Sequence, residues 1–255
     1  MKLSLLLLFS ILPVLAEARE TSTSCEELLV QEFRRPPNDF RNGLISTRVP
    51  LNVNSLVRAY EQGIFPWGEA HGGNARWHRP PLRGVLFLDE VDIGRSDRKY
   101  LRQQQALGEL RVTFDQAFER VMRLCAAVPR FQTQPGGIKV PDEPWISPKF
   151  IEIYSEMHRL GLAHSVEVWR GEELVGGLYG VFIHGVFTGE SMFFLEPNAT
   201  KLAFQALIER LTDSGHEFID TQMVLGLARK WGARYVARQD YEKMLREAQE
   251  KNREF

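Results

Sequence analysis

Strand and helix signals that alternate along the chain, with neighbouring strands adjacent in sequence, predict an α+β fold. Three observations carry that reading. Residues 163–193 hold three successive strand-like runs, Ala163–Trp169, Glu173–Ile183 and Val186–Phe193, broken by Gly171 and by His184-Gly185, which is the spacing of an antiparallel meander. Before the meander, Ser147-Pro148 offers an N-cap with proline at the first helical position, opening a helix that ends at Gly161. After it, Ala199, Ala203, Leu207 and Leu211 stack at i+4 steps in a second helix that Asn198 caps and Gly215 ends. At 255 residues the chain is long enough for one large or two modest domains. Its 44% hydrophobic and 25% charged residues are ordinary for a globular protein.

The remaining elements follow in order. Met1-Lys2, an apolar run from Leu3 to Leu15 and the small-x-small exit Ala16-Glu17-Ala18 read as a secretory signal peptide. Residues 1–18 are therefore expected to be a leader, too short to span a bilayer comfortably, with no stable membrane insertion after its removal. Residues 19–50 are polar, carry Pro36-Pro37 and read as a linker. Order is predicted from Leu51, in a small N-terminal domain over 51–82. There Leu56, Val57 and Tyr60 share one side of a short helix that stops at Gly63. Ile64–Gly73 reads as a glycine-rich loop in which Trp67 is a core anchor or a binding platform. A second domain is predicted over 83–255.

That domain opens with a strand over 83–90. In 91–107, Arg95, Arg98, Lys99 and Arg102 fall on one helix face, either a solvated surface or a patch turned to phosphates. Arg111–Phe114 reads as a strand, and Phe118, Val121, Met122 and Cys125 as the apolar side of a helix, with Cys125 a small core hydrophobe. Residues 129–144 read as a proline-rich loop closed by Trp145-Ile146. Beyond the meander and its helix come a strand at Phe218–Gln222, a short helix near Leu225–Trp231, a strand at Tyr235-Val236 and a charged helix over 239–251.

A formal net charge of −1 leaves any nucleic-acid contact to a local patch. Two cysteines are too few for a disulfide framework or a zinc site, and the six histidines show no ligand spacing. No metal and no cofactor is expected. The chemistry points to two acids. Glu190 stands among Val186, Phe187, Met192 and Phe193, where a carboxylate is costly unless something pairs with it or uses it. It belongs either to the solvent face of an edge strand or to a site. Asp220 ends another apolar run, Phe218-Ile219, and is followed by Thr221-Gln222. Two buried-looking acids on separate strands of one sheet point to a site.

Six strings, GIFPW (63–67), WHRPPLRGVLF (77–87), AHSVEVW (163–169), GGLYG (176–180), GESMF (189–193) and DTQ (220–222), occur in this order. Together they closely resemble the leucyl/phenylalanyl-tRNA–protein transferase family, over about four-fifths of the chain. The resemblance implies a small N-terminal domain followed by an N-acetyltransferase-like mixed sheet flanked by helices. It implies transfer of Leu or Phe, and Met less well, from aminoacyl-tRNA to the N-terminal Arg or Lys of acceptor proteins, marking them for degradation. By matching positions it implies Glu190, Asp220 and Gln222 as the catalytic group; because an amide is far too weak a base to act unaided, Gln222 reads as an orienting hydrogen-bond partner polarised by Asp220. It implies Trp67 and Trp145 as the seat of the terminal adenosine. Leu178, Phe187, Met192, Leu207 and Ile219 would line the side-chain pocket. Arg95, Lys99 and Arg102 would face the tRNA. The implied protein is a monomer in the cytoplasm, where the donor is, whereas the leader points to export.

The chain departs from the family pattern at Thr221, where cysteine is usual, at Leu227, where histidine is common, and in the stretch before the first helix. Two other functions compete. One is an N-acyltransferase using an acyl-CoA donor, against which the turn FLEPNATK (194–201) lacks the glycines that cradle a pyrophosphate. The other is an exported, non-catalytic peptide-binding module, against which Glu190, Asp220 and Gln222 are all present.

Overall fold

The computed structural model describes residues 31–33, 43–133, 139–142 and 145–255. The leader and most of the linker lie outside the described residues. A small unit forms first, from β1 (Leu44–Ser46), α1 (Val53–Tyr60), β2 (Phe65–Glu69) and β3 (Ala75–His78). Its strands pair antiparallel in the order β1-β3-β2. A reciprocal cap starts α1: the Asn52 side chain accepts from the Ser55 amide at 2.9 Å, and the Ser55 hydroxyl accepts from the Asn52 amide at 3.0 Å.

Two expectations change here. The end of the stretch read as linker is folded, because Phe33 packs edge-on against Trp77, with ring centroids 5.2 Å apart. Beside it, buried Glu32 accepts from the Ser46 hydroxyl at 2.7 Å. The segment read as a glycine-rich loop instead supplies β2, and β3 follows it. Pro66 has no N–H donor, but β2 lies at the edge of its sheet, where that donor is not needed.

The larger unit runs β4 (Leu82–Phe87), α2 (Arg95–Leu107), β5 (Leu110–Phe114), α3 (Phe118–Ala127), β6 (Arg130–Thr133) and β7 (Lys139–Asp142). It continues through α4 (Pro148–Arg159), β8 (Ala163–Arg170), β9 (Glu173–Ile183) and β10 (Val186–Phe194), then α5 (Ala199–Asp213), β11 (Phe218–Gln222), α6 (Gly226–Lys230), β12 (Arg234–Ala237) and α7 (Arg238–Lys251). Thus the proline-rich segment carries a two-stranded ribbon, β6–β7, rather than a plain loop. Seven strands form one mixed sheet in the order β12-β4-β11-β10-β9-β8-β5, with only the β10–β11 pair parallel.

Helices cover both faces of this sheet. Along β9, Tyr179, Val181 and Ile183 join the core under α1, α3 and α4, while Leu178 and Phe182 join the core under α5 and α2. A strand buried on both faces reads as a nearly unbroken apolar run, which is how Glu173–Ile183 reads.

The parallel pair positions the site. β10 and β11 meet at one register position, Thr188 opposite Asp220. Just beyond it each strand bulges against its other neighbour, β10 between Gly189 and Ser191 and β11 between Asp220 and Gln222. A bulge re-aims the side chain it carries, so Glu190 and Gln222 leave the alternation of their strands. Gly84 of β4 makes room for the second bulge, since a Cβ there would lie 2.6 Å from the Met223 carbonyl carbon. Gly84→Ala is therefore expected to cost about 1–3 kcal/mol, read as a fall of several degrees in the thermal midpoint. An unchanged midpoint would mean that the bulge is not held by this close approach.

Candidate active site

Asp220 is fully buried in the middle of β11, and its carboxylate is saturated. Arg83, 2% exposed at the start of β4, donates to it twice, from Nε at 2.8 Å and from an Nη at 2.6 Å. The Tyr241 hydroxyl on α7 donates at 2.7 Å, the Thr188 hydroxyl at 3.3 Å and the Gln222 backbone N–H at 2.9 Å. The guanidinium lies between the rings of Phe65 and Tyr241, 4.6 and 4.8 Å from their centroids. Its other Nη donates to the Gly63 carbonyl at 3.0 Å, tying the sheet to the turn that follows α1 in the small unit. A buried pair is weak evidence for stability, but removing one partner strands a charge.

That bond to the Gln222 backbone holds the residue at φ 57°, in the left-handed region. The Gln222 side chain consequently turns to Glu190, where Nε2 donates to Oε1 at 2.6 Å. The expectation that Asp220 polarises the Gln222 side chain is thus replaced by a different arrangement. Asp220 sets the backbone, and the amide side chain serves Glu190.

Glu190 is half-buried. Tyr60, at the end of α1, donates to its Oε1 at 2.7 Å, and the Tyr154 hydroxyl on α4 lies 2.8 Å from the Tyr60 hydroxyl, its donor in turn. Burial is the main cause that pushes the Glu190 carboxyl up from 4.5 to about 8; the Asp220 charge adds to it, while the bonds from Tyr60 and Gln222 and the Arg83 charge oppose it. Burial, reinforced by the nearby Glu190 carboxylate, also holds the Tyr60 and Tyr154 hydroxyls protonated well above the ordinary phenol range. Both tyrosines are therefore fixed donors, and Glu190 is the group of this cluster poised to exchange a proton near neutral pH.

Glu190 and Gln222 open onto a cavity of about 370 Å³. Leu178, Phe187, Met192, Leu207 and Ile219 line it, as do Trp67 and Trp145, so every residue expected at the pocket meets in one place. Trp67 is 37% exposed. Asp220 does not line the cavity and lies beneath it. Arg95, Lys99 and Arg102 stand apart from the cavity, exposed on α2, and none of the three pairs with a carboxylate among the described residues.

Sequence reading missed Tyr60, Tyr154, Arg83 and Tyr241. Arg83 carried a usable sign, a cation entering the apolar run of β4 and so requiring a buried partner. The tyrosines carried none, since their periodicity is that of ordinary core residues.

Both units of this chain resemble known proteins. The family model described as leucyl/phenylalanyl-tRNA protein transferase matches residues 85–246, and that of the same family's N-terminal domain matches residues 50–81. The leucyl/phenylalanyl-tRNA–protein transferase of Pseudomonas fluorescens (strain Pf0-1) is 42% identical over 200 residues, covering 78% of this chain and 82% of its own. Its counterpart in Hydrogenovibrio crunogenus (strain DSM 25203 / XCL-2) is 40% identical over 214 residues, covering 84% and 78%. With both units matched in order and so much of each relative covered, the chain belongs to the leucyl/phenylalanyl-tRNA–protein transferase family.

Proposed function

We propose that this protein moves leucine or phenylalanine, and methionine less well, from aminoacyl-tRNA to the N-terminal arginine or lysine of acceptor proteins, marking them for degradation. The observation that carries this reading is Glu190, held by Tyr60 and Gln222 at the mouth of an apolar cavity with its carboxyl pushed up to about 8. The acceptor's α-ammonium has a pKa near ~7.7–8.0, so the two groups are matched for proton exchange.

In the proposed reaction Glu190 accepts a proton from the α-ammonium, and the freed amine attacks the ester carbonyl. The new C–N bond forms as the C–O bond to the terminal ribose breaks. The ribose oxygen leaves as a hydroxyl, taking the proton that Glu190 carries, and the emptied carboxylate takes the second proton from the new amide nitrogen and returns it to solvent. Oε1 receives both donors, and among the described residues no hydrogen bond reaches Oε2, which is the atom assigned to the proton. Gln222 and Tyr60 orient the carboxyl, and Asp220 positions Gln222 from below. Proximity on the carbonyl supplies much of the rate.

Leu178, Phe187, Met192, Leu207 and Ile219 are assigned to the amino-acid side chain, and Trp67 and Trp145 to the terminal adenosine. An apolar pocket discriminates by only ~1–3 kcal/mol per methylene, in keeping with a substrate set of Leu, Phe and Met. Arg95, Lys99 and Arg102 are assigned to the tRNA. All of these groups come from one chain, so one copy suffices, and we place the activity in the cytoplasm with its donor. Among the described residues no helix is long and apolar enough to cross a membrane, and residues 1–18 lie outside them.

Three outcomes test this reading. Purified protein given phenylalanyl-tRNA and an Arg-starting acceptor should label the acceptor, and Glu190→Gln should cut kcat/KM about 100-fold or more; labelling at close to the wild-type rate removes Glu190 from the chemistry. The second outcome follows from the raised carboxyl. Its stabilising contribution is complete below 4.5 and is lost as pH rises through about 8. The thermal midpoint of Glu190→Gln minus that of wild type should therefore grow between pH 5 and 8, and a flat difference would contradict the assignment. The third concerns Asp220. Asp220→Ala should cost about 3–5 kcal/mol by stranding Arg83, and adding Arg83→Met should recover much of that loss while transfer stays low. Full activity in the stable double variant would show that Asp220 does not position Gln222.

A further inference from the structure

A second concavity, of about 640 Å³, opens beside the substrate cavity and shares Val128, Met192, Gly226 and Leu227 with it. Phe194 and Leu195 line it while remaining 58% and 65% exposed, an unusual allowance of apolar surface. Lys201 and Lys230 line it too. Both ammonium groups meet on Asp97 of α2, at 2.8 and 2.7 Å, and the Trp231 indole N–H donates to the same carboxylate at 2.9 Å. Asp97 is 1% exposed whereas the Lys230 side chain is 50% exposed, so the groove presents more positive than negative charge. The same helix, α2, turns Arg95, Lys99 and Arg102 outward without carboxylate partners among the described residues. The groove thus joins the substrate cavity at one end and meets α2 through Asp97, the helix whose outward side carries these cations.

We infer that this groove carries the single-stranded nucleotides that precede the terminal adenosine of the donor RNA, a conclusion that rests on the aminoacyl-tRNA reading of the site. Every tRNA ends in an unpaired C-C-A. With the aminoacyl group in the cavity and the body of the RNA on α2, the preceding nucleotides must cross the space between. Exposed aromatic surface for base stacking and cations along the backbone are what sequence-tolerant single-strand binding uses. An acceptor polypeptide suits the groove less well, because its N-terminal Arg or Lys would meet two lysines. It reaches the carbonyl by another side.

The test compares two donors in the full-length protein carrying Phe194→Ala and Lys230→Gln. With phenylalanyl-tRNA, KM should rise about tenfold with kcat little changed. With 3′-O-phenylalanyl-adenosine, which has no preceding nucleotides, transfer should be unaffected. Lys230→Arg alone should behave as wild type. Equal losses with both donors, a raised KM for the acceptor, or no change with either donor would each overturn the proposal. Binding is read separately, by fluorescence anisotropy of a labelled RNA hairpin with and without a single-stranded ACCA-3′ tail. The tail should tighten binding to wild type but not to the double variant, and the variant should lose about 0.7 of salt-dependence slope for each phosphate contact removed. A tail that adds nothing in wild type defeats the groove even if transfer is normal. A tail that binds as expected in a protein that transfers nothing supports the groove and defeats the functional reading alone.

Discussion

The buried contact between Arg83 and Asp220 is the constraint on which the rest of this protein hangs. It joins β4 to β11 inside the sheet, reaches through Gly63 to the small unit, and is enclosed by Phe65 and Tyr241 from opposite ends of the chain. Because the pair is sealed from water, its geometry cannot relax by admitting solvent. The backbone of Gln222 inherits that rigidity through its bond to Asp220, and so does its left-handed conformation. Strain of this kind persists only where the surroundings over-determine it, and here five donors surround one carboxylate.

The two acids of the site lie in opposite surroundings. Asp220 is charge-paired and enclosed, which suits a strut. Glu190 has neutral donors only, a partly open position and a carboxyl pushed up to about 8, which suits proton exchange. One carboxyl faces a cation in a sealed site and the other faces neutral donors at a cavity. The order of events along the sheet follows: the ion pair fixes the amide, the amide and a tyrosine fix the acid, and the acid faces the cavity.

Much of this was legible in the residues. The hairpin over 173–193 declared itself because β9 is buried on both faces, and Glu190 stood out against its apolar neighbours. Pocket residues and tryptophans came from the family resemblance, and they line one cavity. What escaped was long-range. Tyr60 lies far from Glu190 in sequence, and nothing local distinguishes a tyrosine whose hydroxyl is needed from one that merely fills space. Arg83 was more readable, since the reasoning that singled out Glu190 applies equally to a cation in an apolar strand. In the small unit, Pro66 and the glycines obscured β2 and β3, because their tolerance depends on an edge position that only the assembled sheet supplies. The bulges of β10 and β11 are likewise a property of strand pairing, which is why Glu190 and Gln222 could be suspected together but not placed in contact.

Tyr60 has a consequence for descent. It belongs to the small unit yet completes the environment of the acid in the large one, so the two units are not interchangeable modules. A fusion that exchanged the first for another fold would leave Glu190 short of a donor and Arg83 short of the Gly63 carbonyl, and natural selection would therefore pass the two segments on as one heritable piece.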